Sequence, residues 1–435
     1  MSEFIILQVG QCGNQIGAAL WPLILSEYRI RSNDSISAFF NVPSRTPNDL
    51  KARAICIDME DSVVARFKRG PLKGMFDDKC FITNHPGSGN NWAQGYCEHG
   101  PRYKRKIFRA LKHAVERCDS LHGFILLLSA GGGTGSGLGT YILDLLADTY
   151  PEIERFVACV YPTGTEDVIT CPYNMALATY RMLENAVCVF PVENRALLEI
   201  VNRKSRCGER SYRAMNDIIV EMLLHLTSGS RFPGDLNLDM NEINTNMVPF
   251  PQLNFLSAGF NHDSVAARFN TKTSQQIKDK YFLDSLHKSN QLIKVDPLGP
   301  KSVLLGATLI GRGDYAMSDV QSYAQRLQAR ANFAPWSKKS IKVGLCGTSP
   351  HYAPAAMFSL FNSSRMSDHF AKIYGDFDKL FRKKAHMHHY TRIDGFDCGY
   401  FEACAESLRD VVQKYRNIEM TRAFAVPRLE PLQTF

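Results

Sequence analysis

The sequence predicts an α/β fold: a doubly wound parallel sheet over residues 1–205, a central helix with a second, smaller α/β domain over 206–365, and a C-terminal helical region over 366–435. Three observations carry this. Short, wholly apolar runs alternate with segments of helical apolar spacing through about residue 205, as in strands buried on both faces by crossover helices. Glycine-containing turns join several of these runs to the next helix. After Leu226 the pattern breaks at Phe232, Pro233 and Gly234, then resumes as a different mixture of strands and helices.

Taken in order, Phe4 to Val9 reads as the first strand, running through Gly10, Gln11, Cys12, Gly13, Asn14 and Gln15 into a helix carrying Ile16, Leu20, Leu23 and Ile24. In open α/β sheets such turns gather at the carboxyl ends of the strands, where ligands bind. Gln11 and Asn14 either reach a ligand there or cap their own helix. Residues 29–52 are rich in polar residues and read as a surface loop. Ile55, Cys56 and Ile57 form a strand that ends on Asp58, Glu60 and Asp61. Such carboxylates suit a hard cation shared with phosphates, or else form a solvated acidic turn. The turn Gly87-Ser88-Gly89-Asn90-Asn91-Trp92 offers hydroxyl and amide groups, notably at Ser88 and Asn90, beside glycine; taken alone it is an ordinary turn signal.

The centre of the first domain is Phe124 to Leu128, a buried strand, followed by Ser129-Ala130-Gly131-Gly132-Gly133-Thr134-Gly135-Ser136-Gly137 and a helix with Ile142, Leu145 and Leu146. Strand, glycine turn and helix start bring backbone N–H groups and the positive end of the helix dipole to one point, where an anion is favoured. A tight turn needs one or two glycines, and here there are five in residues 131–137. The lysine of GxxxxGK[ST] is missing and no GxGxxG register fits, which counts against a nucleotide-dependent oxidoreductase. Phe156 to Tyr161 is another strand, with Asp167 beyond it placed for a ribose hydroxyl; Ala186 to Phe190 follows, and Asn194 opens the next helix. The agreement of these turns in topological position predicts a nucleotide pocket.

Composition is that of an ordinary globular chain, with 45% hydrophobic and 22% charged residues. No apolar run is long enough for a bilayer and the start lacks signal-peptide features, so a cytosolic or nuclear, membrane-free protein is expected. The twelve cysteines show no CxxC pair and read as reduced thiols. The net charge of +8 includes a cluster at Arg102, Lys104, Arg105, Lys106 and Arg109, but no nucleic-acid motif accompanies it, so a solvated or protein-contacting helix face is expected rather than nucleic acid.

The motifs GQCGNQIG, GSGNNWA and GGGTGSG, in this order, closely resemble the tubulin family, and the likeness continues through YPTGTEDVITCPYN, SRFPGDLNLDMNE and VPFPQLNFL. It covers essentially the whole chain and implies a GTPase domain binding GTP or GDP with Mg2+. Position by position it implies nucleotide contacts at Gln11 and Cys12, a magnesium-linked acid at Glu60, and phosphate contacts at Asn90, Ser129, Gly133, Thr134 and Gly135. Asp167 matches the ribose-binding acid, Asn194 and Asn216 the asparagines that read the guanine edge, and Tyr212 the ring that stacks on the base. Cys171 departs from the glutamate that several members carry there.

Met215 to Leu226 reads as an apolar helix, which the resemblance identifies as the central helix joining two domains. Asp235, Asp239 and Glu242 alone say only "acidic loop". The resemblance implies that Glu242 is the catalytic acid, acting on the nucleotide of a neighbouring subunit across a longitudinal contact. Residues 372–382 and 401–415 read as two long helices. The His386, His388 and His389 cluster between them lacks ligand spacing and reads as a turn. Within the family this segment is most similar to the epsilon branch, with the delta branch as rival. That implies partners among other tubulins, delta-tubulin included, and among centriolar or basal-body proteins, at the cytoskeleton of the centrosome, centriole or basal body. The chain's end lacks the strongly acidic stretch of α- and β-tubulin, implying a role outside the bulk lattice. A nucleotide-holding scaffold without turnover is the alternative.

Overall fold

The computed structural model describes residues 2–30, 36–41, 50–85, 87–164, 168–204, 212–232, 234, 236–262, 274–337 and 340–420. Its first sheet contains β1 (Glu3–Val9), β2 (Ala54–Asp58), β3 (Phe81–Thr83), β4 (Leu121–Ser129), β5 (Glu154–Tyr161) and β6 (Cys188–Glu193). Their spatial order is β3-β2-β1-β4-β5-β6, parallel throughout. This is the doubly wound order whose direction of progression reverses between β1 and β4, the position where ligands bind in such sheets. Leu7 lies opposite Ile55 on one side and Leu126 on the other.

The unbroken apolar runs follow from burial on both faces. Ile5, Leu7 and Val9 join one core, with Phe124, Leu126 and Leu128, while Phe4 and Ile6 join another, with Ile125 and Leu127. Helices α1 (Gly10–Ile30), α2 (Asp61–Arg69), α3 (Gly100–Val115), α4 (Gly139–Thr149), α5 (Cys171–Asn185), α6 (Asn194–Lys204) and α7 (Tyr212–Leu226) cover the sheet. Residues of α1, α6 and α7 enter the second core, and those of α3, α4 and α5 the first.

After α7 come the short helix Ser228–Arg231, α8 (Met240–Met247), β7 (Ser257–Phe260), α9 (Ser274–Leu286), β8 (Leu304–Gly313), α10 (Met317–Arg330), β9 (Ile341–Cys346) and β10 (Ala355–Ser363). The four strands form a mixed sheet in the order β9-β8-β10-β7. One of its faces packs on α9 and α10; through Phe260, Ile310, Phe358 and Leu360 the other shares a core with α7. Helices α11 (Met366–Phe381) and α12 (Gly399–Met420) then lie over α5, burying Phe370, Phe377, Phe401 and Tyr415 in the first core.

Between the two sheets sits a buried ionic cluster. Glu27 on α1 accepts from Arg231 at 2.6 Å and lies 3.1 Å from Arg312 of β8, and all three side chains are fully buried. Burial alone would raise the Glu27 pKa, but the Arg231 and Arg312 charges overcome it and hold the carboxyl well below the usual range.

The reading of residues 29–52 as a surface loop needs correction for its described part. Ala38, Phe39, Phe40 and Ala52 are buried, Phe40 packs against Trp21 at 5.4 Å between ring centroids, and Phe40 pairs with Ala52 in a short antiparallel ladder. The polar composition of the flanks masks this apolar anchor. Among the described residues no cysteine forms a disulfide, and no helix is long and apolar enough to cross a membrane.

Candidate nucleotide site

The carboxyl ends of β1, β2 and β4 open on one cleft of about 240 Å³, lined by Gly10, Gln11, Cys12, Asp58, Glu60, Ser88, Gly89, Asn90, Ser129, Gly132, Gly133, Thr134 and Gly135. Gln11, Cys12, Glu60, Ser88, Asn90, Ser129, Gly133, Thr134 and Gly135, expected from the sequence to contact nucleotide or metal, thus come together from four separate turns.

The floor is bare backbone because neighbouring turns leave no room for side chains. Gly10 has φ +72°, and a Cβ there would stand 3.0 Å from the Gly135 nitrogen. A Cβ on Gly133 would meet the Ser88 carbonyl oxygen at 2.6 Å and the Asn91 nitrogen at 2.7 Å. Thr134–Leu138 forms a π-helical turn before α4 rather than running straight into an α-helix. Ser88 Oγ and Thr134 Oγ1 share a hydrogen bond of 3.0 Å, tying two turns at the cleft wall. Burial pushes the Cys12 thiol up to about 12, so it lines the cleft as a neutral group.

The acidic side of the cleft is Asp58 and Glu60. Glu60 is the N-cap residue of α2, yet its side chain makes no capping bond, and it stands exposed over the cleft. Asp58 is buried; its Oδ1 accepts from the Glu60 N–H at 3.3 Å, while Oδ2 is buried with no partner. Burial, with the Glu60 charge adding to it, outweighs the backbone donors of Glu60 and Met59 and raises the Asp58 pKa to about 7. An orphaned buried carboxylate oxygen beside an uncommitted one is a donor set that fits a divalent cation, whose charge would reverse that shift.

Tyr212 and Asn216, at the start of α7, line a separate groove of about 1250 Å³ together with Gln15. Gln11 and Gln15 are one helical turn apart on α1, so this helix forms a wall common to cleft and groove. Asn194 is half-buried as the first residue of α6 and lines neither cavity. Asp167 lies outside the described residues. Asn14 is not a cleft residue: buried, it donates to the Gly10 carbonyl at 2.9 Å and the Ile57 carbonyl at 3.1 Å, bracing the first turn from behind. Cys171 opens α5 facing the glycine loop, its sulfur 3.3 Å from where a Gly131 Cβ would stand.

Glu242 stands away from this cleft in the first turn of α8, where its N–H donates to the capping Asp239 side chain at 2.8 Å. Its carboxylate is half-exposed and 3.6 Å from Lys342 Nζ. In its own chain it therefore lies among residues of the second sheet rather than among those that line the cleft.

Sequence reasoning missed Asn174, whose side chain is fully buried in the first turn of α5. Its Nδ2 donates to the carbonyls of Asn90 (2.8 Å) and Gly131 (2.9 Å), and its Oδ1 accepts from the Trp92 N–H (2.9 Å) and the Tyr390 hydroxyl (2.6 Å). All four hydrogen-bonding positions of the amide are filled. The signal was present in CPYN, where an amide follows a proline in the first helical turn.

Residues 3–202 match the family model described as Tubulin/FtsZ family, GTPase domain, and residues 251–374 match the tubulin C-terminal domain. The chain is 37% identical to the tubulin epsilon chain of Mus musculus over 98% of both chains, and 36% identical to that of Homo sapiens over 99% of both. It is 30% identical to the tubulin beta chain of Porphyra purpurea, over 96% of this chain and 93% of that one. The GTPase-domain match implies GTP or GDP binding. With this likeness running from end to end, the chain belongs to the tubulin family, as a homologue of its epsilon chains.

Proposed function

We propose that the protein binds GTP and GDP with their phosphates on the backbone of residues 131–135, and that Glu60, with Asp58 behind it, holds Mg2+. The observation that carries this reading is the convergence of four turns on one bare-backbone cleft at the switch point of the sheet. Tyr212, Asn216 and Gln15 mark the side toward which the base extends, with Asp167 and Asn194 as ribose and base contacts. Residues 1–205 then form the nucleotide domain, 206–365 the intermediate domain and 366–435 the outer helical region. Bound Mg2+ would neutralise charge on the phosphates. The chain's own residues supply the N–H cradle and the wall that orients the phosphates.

The family resemblance supports an assembly role: contact with other tubulins end to end, delta-tubulin among them, in microtubule organisation at centrioles and basal bodies. Glu242 then serves a neighbour's nucleotide, where a carboxylate can orient and polarise the attacking water. The 3.6 Å pairing of Glu242 with Lys342 favours a second reading, a scaffold that holds nucleotide without turning it over.

Nucleotide released by denaturing purified protein decides the first claim. A guanine nucleotide is expected, and NAD or no nucleotide would remove the reading. Glu60→Gln should raise the Mg2+ needed for half-maximal nucleotide retention by about tenfold, measured by Mg2+ titration. An unchanged requirement would take Glu60 out of the cation site. Glu242→Ala should leave nucleotide content intact and slow hydrolysis in assembled material by roughly 10²–10⁴-fold. Equal turnover of both proteins in an assembly would assign catalysis elsewhere, and absence of turnover in the unaltered protein would select the scaffold.

A further inference from the structure

Helix α3 (Gly100–Val115) buries one face through Tyr103, Ile107, Ala110, Leu111 and Ala114. Its opposite face carries Arg102, Arg105, Lys106, Arg109 and Lys112, all exposed. The spacing i, i+3, i+4, i+7, i+10 lines these five cations up as one stripe, about 15 Å long at 1.5 Å per residue. Lys112 meets Glu116 at 3.7 Å, whereas Arg102, Arg105, Lys106 and Arg109 form no ion pair among the described residues. Their contacts are with an aromatic ring, Arg102 and Lys106 standing 5.6 and 5.8 Å from the Tyr103 centroid.

This arrangement works against the helix that displays it. The row stands in the body of a helical run that continues unbroken from Trp92 through the turn at Gln94–His99, so the helix dipole does little for its charges. Like charges face one another at i,i+3 and i,i+4 along the whole stripe. A row of like charges, four of its five members without an ion pair among the described residues, marks a surface shaped for something outside it.

We propose that the α3 stripe docks an acidic amphipathic helix of a partner protein, its carboxylates repeating at the same helical spacing and pairing with the arginines. Charge complementarity sets the partner's sign, and the single row of cations sets its shape. A nucleic-acid duplex fits less well because the row is narrow and bordered by carboxylates. Glu116 lies at its C-terminal end, and Asp77 lies beside it, paired with His113 at 2.9 Å and Arg117 at 2.5 Å.

The test uses the full chain and two fluorescein-labelled peptides of one composition, one with glutamates on a single helical face and one with them scrambled, read by fluorescence anisotropy at low and physiological salt. The patterned peptide should bind about tenfold tighter than the scrambled one, and more weakly as salt rises. The triple variant Arg102→Glu, Arg105→Glu, Arg109→Glu should lose that binding, while Lys372→Glu, Lys379→Glu, Lys383→Glu, which changes net charge equally on α11 and the turn after it, should keep it. The stripe variant should melt at or above the temperature of the unaltered protein, because the acids relieve like-charge repulsion along the row and stand at i,i+4 and i,i+3 spacing from Lys106 and Lys112. Should it fail to fold, Arg105→Gln with Arg109→Gln answers the same question. Equal binding of the two peptides, equal loss in the two triple variants, or no peptide binding overturns the proposal. So does stripe-dependent binding of duplex DNA in place of the peptide.

Discussion

Replacing Gly133 with leucine is expected to abolish guanine-nucleotide binding, read by calorimetric titration of nucleotide-depleted protein. The cause is steric and local. The new Cβ alone would stand 2.6 Å from the Ser88 oxygen and 2.7 Å from the Asn91 nitrogen, and both are backbone atoms that cannot swing aside. Turns 87–91 and 131–135 must therefore separate, and both line the cleft. Overpacking of this kind costs about 1–3 kcal/mol of stability, which a sheet buried on both faces should survive. Binding is hit harder, since donors aimed at one anion lose their common target. A loss of about 2.8 kcal/mol is already a hundredfold. Gly375→Ala is the matched control, because nothing lies within 4 Å of the added methyl. Affinity retained in Gly133→Leu would remove the glycine loop from the phosphate site.

Glu27→Ala should be the most destabilising single change outside the cleft. Removing that carboxylate strands Arg231 and Arg312, two fully buried guanidiniums, without their shared counter-ion. Breaking a buried pair in this way costs about 3–5 kcal/mol, while apolar replacement of all three partners would cost much less. Chemical denaturation of Glu27→Ala, and of a variant that also carries Arg231→Met and Arg312→Met, separates the two cases. If both are equally unstable, the ionic cluster is not the cause. The pH dependence has a defined sign. The folded-state pKa of Glu27 is depressed, so its stabilisation is fully present above the ordinary glutamate value near 4.3 and is lost as pH falls below that toward the folded value. Glu27→Ala should flatten the acid limb of the stability curve.

The elements of the first domain were legible because each strand is a short apolar run closed by a turn, and because glycines cluster where neighbouring turns approach closely. Asp58 and Glu60 could be read as a cation site from their place at the end of a strand. What escaped depends on distance along the chain. Glu27 looks like a solvated charge on α1 until Arg231 and Arg312 arrive from 204 and 285 residues away. Phe39 and Phe40 were hidden by the polar residues around them. Tyr212 and Asn216 came from resemblance alone, and their groove adjoins α1 rather than the glycine loop. The stripe on α3 was visible as a cluster, but only burial of the opposite face turned it into a row.

Asn174 holds Asn90 and Gly131 with one end of its amide, and Trp92 and Tyr390 with the other. Asn91 also donates to the His389 carbonyl at 2.7 Å, and the Tyr173 hydroxyl to that of Ala385 at 2.8 Å. These bonds leave no slack between the floor of the cleft and the turn that joins the two outer helices. A displacement of the glycine loop must either carry residues 385–390 with it or break a buried hydrogen bond, at about 1–3 kcal/mol for each group left unpaired. The contents of an interior cleft are thereby mechanically legible on the outside of the molecule, through a strut of buried side chains centred on Asn174.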